Sequence, residues 1–583
     1  MPRWAWGAIA AALAVALFAL LWRKPPSGVN SRPIEFTLSP PPGRSFPFAV
    51  EGQTIAVSPD GSRIALLIAD ADGFHRSIAV RELSSPELRA VPGTENATSL
   101  MWSPDGAALA FFSQKSLKRV ALDGSSPVPI CETAEGGGKS GSWGRGGDIL
   151  YSPVQGDAVY RVAASGGAPV ALITAKGSPS TLGVSWPWYL PDGRHFLYVT
   201  ASTPQNGIIR LAAPDGSSQA LLTGRSMVQF TEPDLLLFAR DGVLYGQHLD
   251  WRAARLRGGP FAIADSVRYF LSTGSAGFSA SAGGTLVLRR HDNLSRPTWF
   301  DLTGHMLGAA AAPGDYLDLA LSPDGRTLLF SRTWPGIGTY DIWSLDLERG
   351  VESRLTTDRG SEMAGLWMPG GRSILHAAQA RPLPQMYLRD LDTGEEKQIR
   401  PSGGFQLPVG VTPDGRTLIY VERTEHSPVT LLSMRLGDDS PSVSLLPPDI
   451  HALGAVLSPD GHALAMITDE TGAPDLYIMP FPSTGTRLRV SDHGATQPTW
   501  SRDGRQLFYI VPGGGLMQVT VRRAPLLRVS APVRIIDAAI TSRWQGFDVS
   551  PDGKRFIAIV SEVSADQTPL TVIVNWPAGV PRK

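Results

Sequence analysis

The sequence predicts an all-β chain: two six-bladed β-propellers in tandem, preceded by one N-terminal transmembrane helix. Three observations carry this. One tetrapeptide recurs along the chain, a short apolar run follows nearly every copy, and a single long uncharged stretch stands near the amino terminus.

The tetrapeptide is Ser-Pro-Asp-Gly, beginning at residues 58, 103, 322, 458 and 550, with variants LPDG at 190, TPDG at 412 and SRDG at 501. Proline presets the first corner of a β-turn, aspartate accepts backbone hydrogen bonds, and glycine takes the left-handed corner. The expected turn residues are therefore Asp60 and Gly61, Asp105 and Gly106, Asp192 and Gly193, and Asp324 and Gly325. In the later copies they are Asp414 and Gly415, Asp460 and Gly461, Asp503 and Gly504, and Asp552 and Gly553. A catalytic or metal-binding carboxylate is the rival reading of these aspartates. One active site has no use for eight copies, so a hairpin tip is the better explanation.

The uncharged stretch, residues 4–22, reads WAWGAIAAALAVALFALLW. At about 1.5 Å per helical residue it spans roughly 28 Å, close to the hydrocarbon thickness of a bilayer. Trp4, Trp6 and Trp22 stand at its ends, where indoles favour the membrane interface. No small-x-small cleavage site follows, which favours an uncleaved anchor over a signal peptide. Residues 1–24 are thus the expected anchor and 25–33 a linker. The expected propellers occupy 34–302 and 303–583.

Degenerate copies of the motif at 143–147, 232–234, 279–284 and 367–371 fill the gaps and bring the count to twelve units, spaced by about 43 to 46 residues where the copies are clear. Four short strands per unit is the content of a propeller blade. Two strands lack a unit of their own, residues 34–38 and 306–310. A split near Thr303 lets residues 34–38 complete the sixth unit beside 277–281, 285–288 and 297–301. Residues 306–310 then complete the twelfth beside 547–550, 556–560 and 570–576. A seven-plus-five division leaves this strand count unexplained.

Composition excludes several functions. Lys plus Arg and Asp plus Glu both number 53, so no global positive surplus exists to hold nucleic acid. The single cysteine, Cys131, excludes an intrachain disulfide and a cysteine zinc cluster. The GGGKS at 136–140 has Thr133 where a phosphate loop needs glycine, and Asp70, Asp72 and Gly73 lack the remaining ligands of a calcium loop. No catalytic residue, metal or cofactor is assigned. Trp102, Trp367 and Trp500, each directly before its turn, are read as packing between blades, with a rim contact to a partner as the alternative.

Phrases such as WSPDGAALAFFSQKSLKRV (102–120) and LSPDGRTLLFSR (321–332) resemble the repeat of TolB-type, WD-repeat-like propellers. Together with the stretch from 475 to 510 they look closer still to the extracytoplasmic double-propeller region of bacterial, acidobacterial-type membrane serine/threonine kinases. The resemblance implies propellers outside the cytoplasm, in the periplasm, although flanking charge alone slightly favours the opposite orientation. No glycine-rich loop, HRD or DFG motif of a kinase occurs, and no G-x-S-x-G elbow of a propeller-linked hydrolase. The expectation is a non-enzymatic, membrane-anchored scaffold for a protein or peptide partner. The alternatives are the sensor part of a kinase system whose catalytic domain lies elsewhere, and an enzyme using a propeller channel.

Overall fold

The computed structural model describes residues 32–580, apart from 48–51, 71–75, 114, 134–137, 154–155, 176–182, 202–206, 271–272, 291–294, 334–338, 358–359, 380–382, 425–426, 439, 472–473, 483–485, 493, 512–514, 524–525, 537–539, 541–544 and 562–568. The expected anchor at 4–22 lies outside the described residues. Among the described residues no helix is long and apolar enough to cross a membrane. The fold is all-β and propeller-like, with a 3₁₀ turn at Trp576–Gly579.

Twelve antiparallel sheets of four or five strands are present among the described residues, with one small two-stranded ribbon. Each begins with an inner strand that leads into a turn of the repeated motif. The inner strands of the first six sheets are Ile55–Val57, Ala97–Trp102, Gly138–Trp143, Gly183–Tyr189, Val228–Thr231 and Phe278–Ala280. Each touches the next, and the sixth touches the first. The inner strands of sheets 7 to 12 are Tyr316–Leu321, Glu362–Trp367, Phe405–Val411, Ala452–Leu457, Thr496–Trp500 and Phe547–Val549, and they close on themselves in the same way. We call these the first and second cycles. The second strands are nearly continuous apolar runs because both faces are covered; Arg63–Asp70 is buried along its middle and Ala463–Thr468 throughout.

The two outer strands without a unit fall where their count required. Ile34–Leu38 is the outermost strand of sheet 6, and Met306–Ala309 of sheet 12. The third strands correct the expectation. Ser295–Asp301 does not continue sheet 6 after Thr285–Leu288; it pairs along its whole length with Arg555–Ser561 in sheet 12. Its place in sheet 6 is taken by Leu570–Val574, which pairs with Thr285–Leu288 on one side and Ile34–Leu38 on the other. Burial accounts for the exchange. Leu570 and Val572 are fully buried in one apolar cluster with Val287, Ile64 and Leu66 of the first cycle, while Phe300 is buried with Phe556 and Phe547 of the second.

Both crossings leave from the sheet ends remote from the turns. The cycles touch at those ends, where Phe270 of the first packs with Leu317 and Tyr340 of the second. The motif turns therefore crowd two outward faces at opposite ends of the molecule.

Candidate functional site: the turn faces

Each motif turn is a closed hydrogen-bond set. In the first, Ser58 Oγ donates to Asp60 Oδ1 at 2.6 Å, the same oxygen accepts the Ser62 N–H at 3.1 Å, and Ser58 Oγ accepts the Arg63 N–H at 2.9 Å. The serine–aspartate bond recurs at Ser103–Asp105, Ser322–Asp324, Ser458–Asp460, Ser501–Asp503 and Ser550–Asp552, and as Thr412–Asp414. In the LPDG copy His195 Nδ1 lies 2.5 Å from Asp192 Oδ2 instead. The glycines Gly61, Gly106, Gly193, Gly325, Gly415, Gly461, Gly504 and Gly553 all have positive φ, between 64° and 77°. The aspartates are structural acceptors of their own turns, and Asp460 also pairs with Arg523.

These bonds favour the ionised carboxylates. The Ser58 and Ser62 hydroxyls hold Asp60 down to about 2. Burial pushes Asp460 up, but the Arg523 guanidinium and the Ser458 hydroxyl bring it to about 2. Asp105, Asp324, Asp414, Asp503 and Asp552 are lowered by the same serine or threonine bond. A folded pKa below the unfolded value near 4 means stability that is present above pH 4 and lost as pH falls toward 2. Thermal melts should drop through that window, and an Asp60→Asn/Asp460→Asn variant should drop less steeply. Equal slopes for the two proteins would count against the turn bonds as its source.

The turns also pack on one another. A Cβ added to Gly461 would meet Pro413 Cδ at 2.8 Å, and one on Gly325 would meet Pro551 at 2.7 Å; Gly106, Gly371 and Gly504 face Pro59, Pro323 and Pro459 at 3.8 to 3.9 Å. The proline of one turn thus lies against the glycine of the next at four places in the second cycle and at one in the first. Nothing stands within 4 Å of a Cβ on Gly553, because the preceding turn has Arg502 where the motif has proline.

That substitution was not assigned a role from sequence, and neither was Arg145, which holds the same place in the degenerate turn 143–147. Both guanidiniums reach a sheet two places along. Arg502 Nη2 donates to the Leu321 carbonyl at 3.1 Å and lies 3.7 Å from Asp548 Oδ2, on the sheet between. Arg145 pairs with Glu232. Each straps part of a turn face, and the signal for it was arginine in the proline position.

The tryptophans take the packing role. The indole N–H of Trp102 donates to the Ala56 carbonyl at 2.9 Å, Trp367 to Ala320 at 3.2 Å and Trp500 to Val456 at 3.3 Å, each on the preceding sheet. Trp102 and Trp500 are 7 % and 4 % exposed, and Trp367 is half-buried. Polar side chains seal the same seams from the inner strands. Ser99 accepts the Gln53 N–H at 3.1 Å, Gln229 that of Ala280 at 2.8 Å, and Asp318 that of Ala364 at 2.9 Å. Burial pushes the Asp318 carboxyl up, against its bonds from Ser331 and Ala364. Among the described residues no group of three or more His, Cys, Asp or Glu is placed to hold a metal ion.

A family model described as the "Lipoprotein LpqB beta-propeller domain" matches residues 446–583. The Tol-Pal system protein TolB of Anaeromyxobacter sp. (strain K) is 26% identical over 166 residues, 28% of this chain and 27% of the relative. Over these stretches the chain is similar to TolB-type β-propellers. The TolB of Anaeromyxobacter dehalogenans (strain 2CP-C) matches to the same extent, so the matched region spans about a quarter of these relatives' length. Among solved structures, a putative TolB from Agrobacterium tumefaciens is 16% identical, covering 46% of this chain and 99% of its own, with a TM-score of 0.36. TolB from Acinetobacter baumannii is 15% identical, covering 60% of this chain and 78% of its own at a TM-score of 0.30. An oligogalacturonate lyase in complex with manganese is 19% identical, covering 45% and 76% at 0.31.

Proposed function

We propose that the protein is a non-catalytic, membrane-anchored scaffold whose two six-bladed rings present their turn faces to a protein partner. The first ring comprises residues 34–288 together with 570–574, and the second residues 295–561. The closed contact order of the inner strands supports six sheets in each. The kinship with TolB-type propellers supports a protein partner and a location outside the cytoplasm.

The carrying observation is the position of the amino-terminal strand. A Cβ on Gly579 would meet Pro33 at 3.4 Å, and the Trp576 N–H donates to the carbonyl of Gly284, in a turn of the first cycle. The chain therefore enters at the outward face of the first ring. With residues 4–22 as the anchor, that face lies nearest the membrane and the turn face of the second ring points away from it.

Protease accessibility on intact cells, combined with crosslinking in intact membranes, tests this reading. The expected result is rings protected until the outer envelope is opened, and a protein crosslinked through the turn-face residues. Rings accessible only from the cytoplasmic side, or crosslinks confined to the outermost strands, would overturn it. The resemblance to kinase-linked propellers supports a second reading, a sensor for a separately encoded kinase. A kinase recovered repeatedly in the same crosslinks favours that reading, and its repeated absence removes it.

A further inference from the structure

The two outward faces differ in one register position. In all six turns of the second cycle the residue after the turn glycine is basic: Arg326, Arg372, Arg416, His462, Arg505 and Lys554. All six are exposed. None of the five arginines and lysines is held in an ion pair among the described residues. Inside this crown lies Arg502, already engaged by the Leu321 carbonyl and Asp548. In the first cycle the matching places hold Ser62, Ala107, Asp148, Arg194 and Thr285, and the shorter turn at 232–234 has none.

The carboxylates on the same face are held in place. Asp324, Asp414, Asp460, Asp503 and Asp552 each accept a hydroxyl and a backbone N–H within their own turn. These bonds all fall on Oδ1 and fix each carboxylate in its turn, and none of the basic side chains of the crown forms an ion pair with it among the described residues. The face therefore offers discrete basic side chains, evenly spaced and interleaved with fixed carboxylates.

We infer that the turn face of the second cycle docks an acidic segment of a protein partner, the arginines of the crown taking its carboxylates. This rests on the scaffold reading above and adds to it which face binds and what chemistry it recognises. Interleaving selects the class of partner. A phosphodiester backbone or an anionic lipid surface presents continuous negative charge and meets the turn aspartates as well as the arginines. Separate Asp and Glu side chains on a protein can be matched to the basic positions alone.

The test uses the full chain in detergent and a fluorescein-labelled hexaglutamate peptide, read by anisotropy. The triple variant R326E/R416E/R505E should bind the peptide at least tenfold more weakly than the parent. R326K/R416K/R505K should bind within about threefold of it, R194E should match it, and added salt should weaken binding throughout. All substituted side chains are exposed, and unchanged melting temperatures will show that the variants fold. Equal binding by parent and charge-reversed protein would overturn the inference. So would parent protein that binds phosphatidylglycerol vesicles or heparin but not the peptide.

Membrane crosslinking separates this failure from failure of the scaffold reading. A protein crosslinked equally to parent and reversed chains removes the crown and leaves the scaffold. Crown-dependent peptide binding with no protein ever crosslinked supports the acid preference and removes the scaffold.

Discussion

Cut between Leu302 and Thr303, the protein should yield two halves that do not fold. Residues 34–302 lack Leu570–Val574, so Thr285–Leu288 and Ile34–Leu38 face each other across a missing strand. Residues 303–583 lack Ser295–Asp301, which separates Arg555–Ser561 from Met306–Ala309. The loss in the first half includes Leu570 and Val572, both fully buried, each contributing about 1.5–3 kcal/mol by burial alone. Two long sheet edges are also left unpaired, which invites aggregation. The segment 295–561, by contrast, contains every strand of the second cycle and should melt cooperatively by itself. Circular dichroism melts of the three fragments decide the matter. A cooperative transition for 303–583 would show that the exchanged strands are dispensable.

Replacing Asp318 by alanine should cost about 3 kcal/mol or more, since it leaves three donors buried between sheets 7 and 8 at about 1–3 kcal/mol for each unsatisfied group. The carboxylate is 4 % exposed and accepts three hydrogen bonds, from the Ser331 hydroxyl at 2.7 Å, the Ser331 N–H at 3.2 Å and the Ala364 N–H at 2.9 Å. An Asp318→Asn variant keeps one acceptor oxygen in place and should cost less. Because burial raises this carboxyl, its sign with pH is opposite to that of the turn aspartates. Its contribution is fullest below the unfolded value and declines as pH rises through the folded one. Urea titrations at pH 7 give the comparison. A loss under about 1 kcal/mol for Asp318→Ala would mean that water or a rearranged strand satisfies the seam.

What could be read in the sequence follows from the range of each interaction. The motif turns were legible because their bonds span at most five residues, as from Ser58 to Arg63, and the chemistry of Pro, Asp and Gly is fully local. The outer strands 34–38 and 306–309 were legible by counting. The third strands were not. Residues 295–301 and 570–574 are both short strands, and nothing in either marks which partner some 250 to 290 residues away it will meet. The straps at Arg145 and Arg502 left a trace, an arginine where proline belongs, but its meaning needs the ring. The tryptophans were legible as a register, and the indole bond to the preceding sheet is what the register serves.

The exchanged strands also set an order of events during synthesis. Thr285–Leu288 emerges from the ribosome before any strand of the second cycle, yet its partner Leu570–Val574 comes after every other described strand of both cycles. The first cycle therefore waits, one strand short, while the second is made. A product that stops early in the second cycle leaves an open sheet edge in the first. Completion of the far cycle is thereby a condition for sealing the near one.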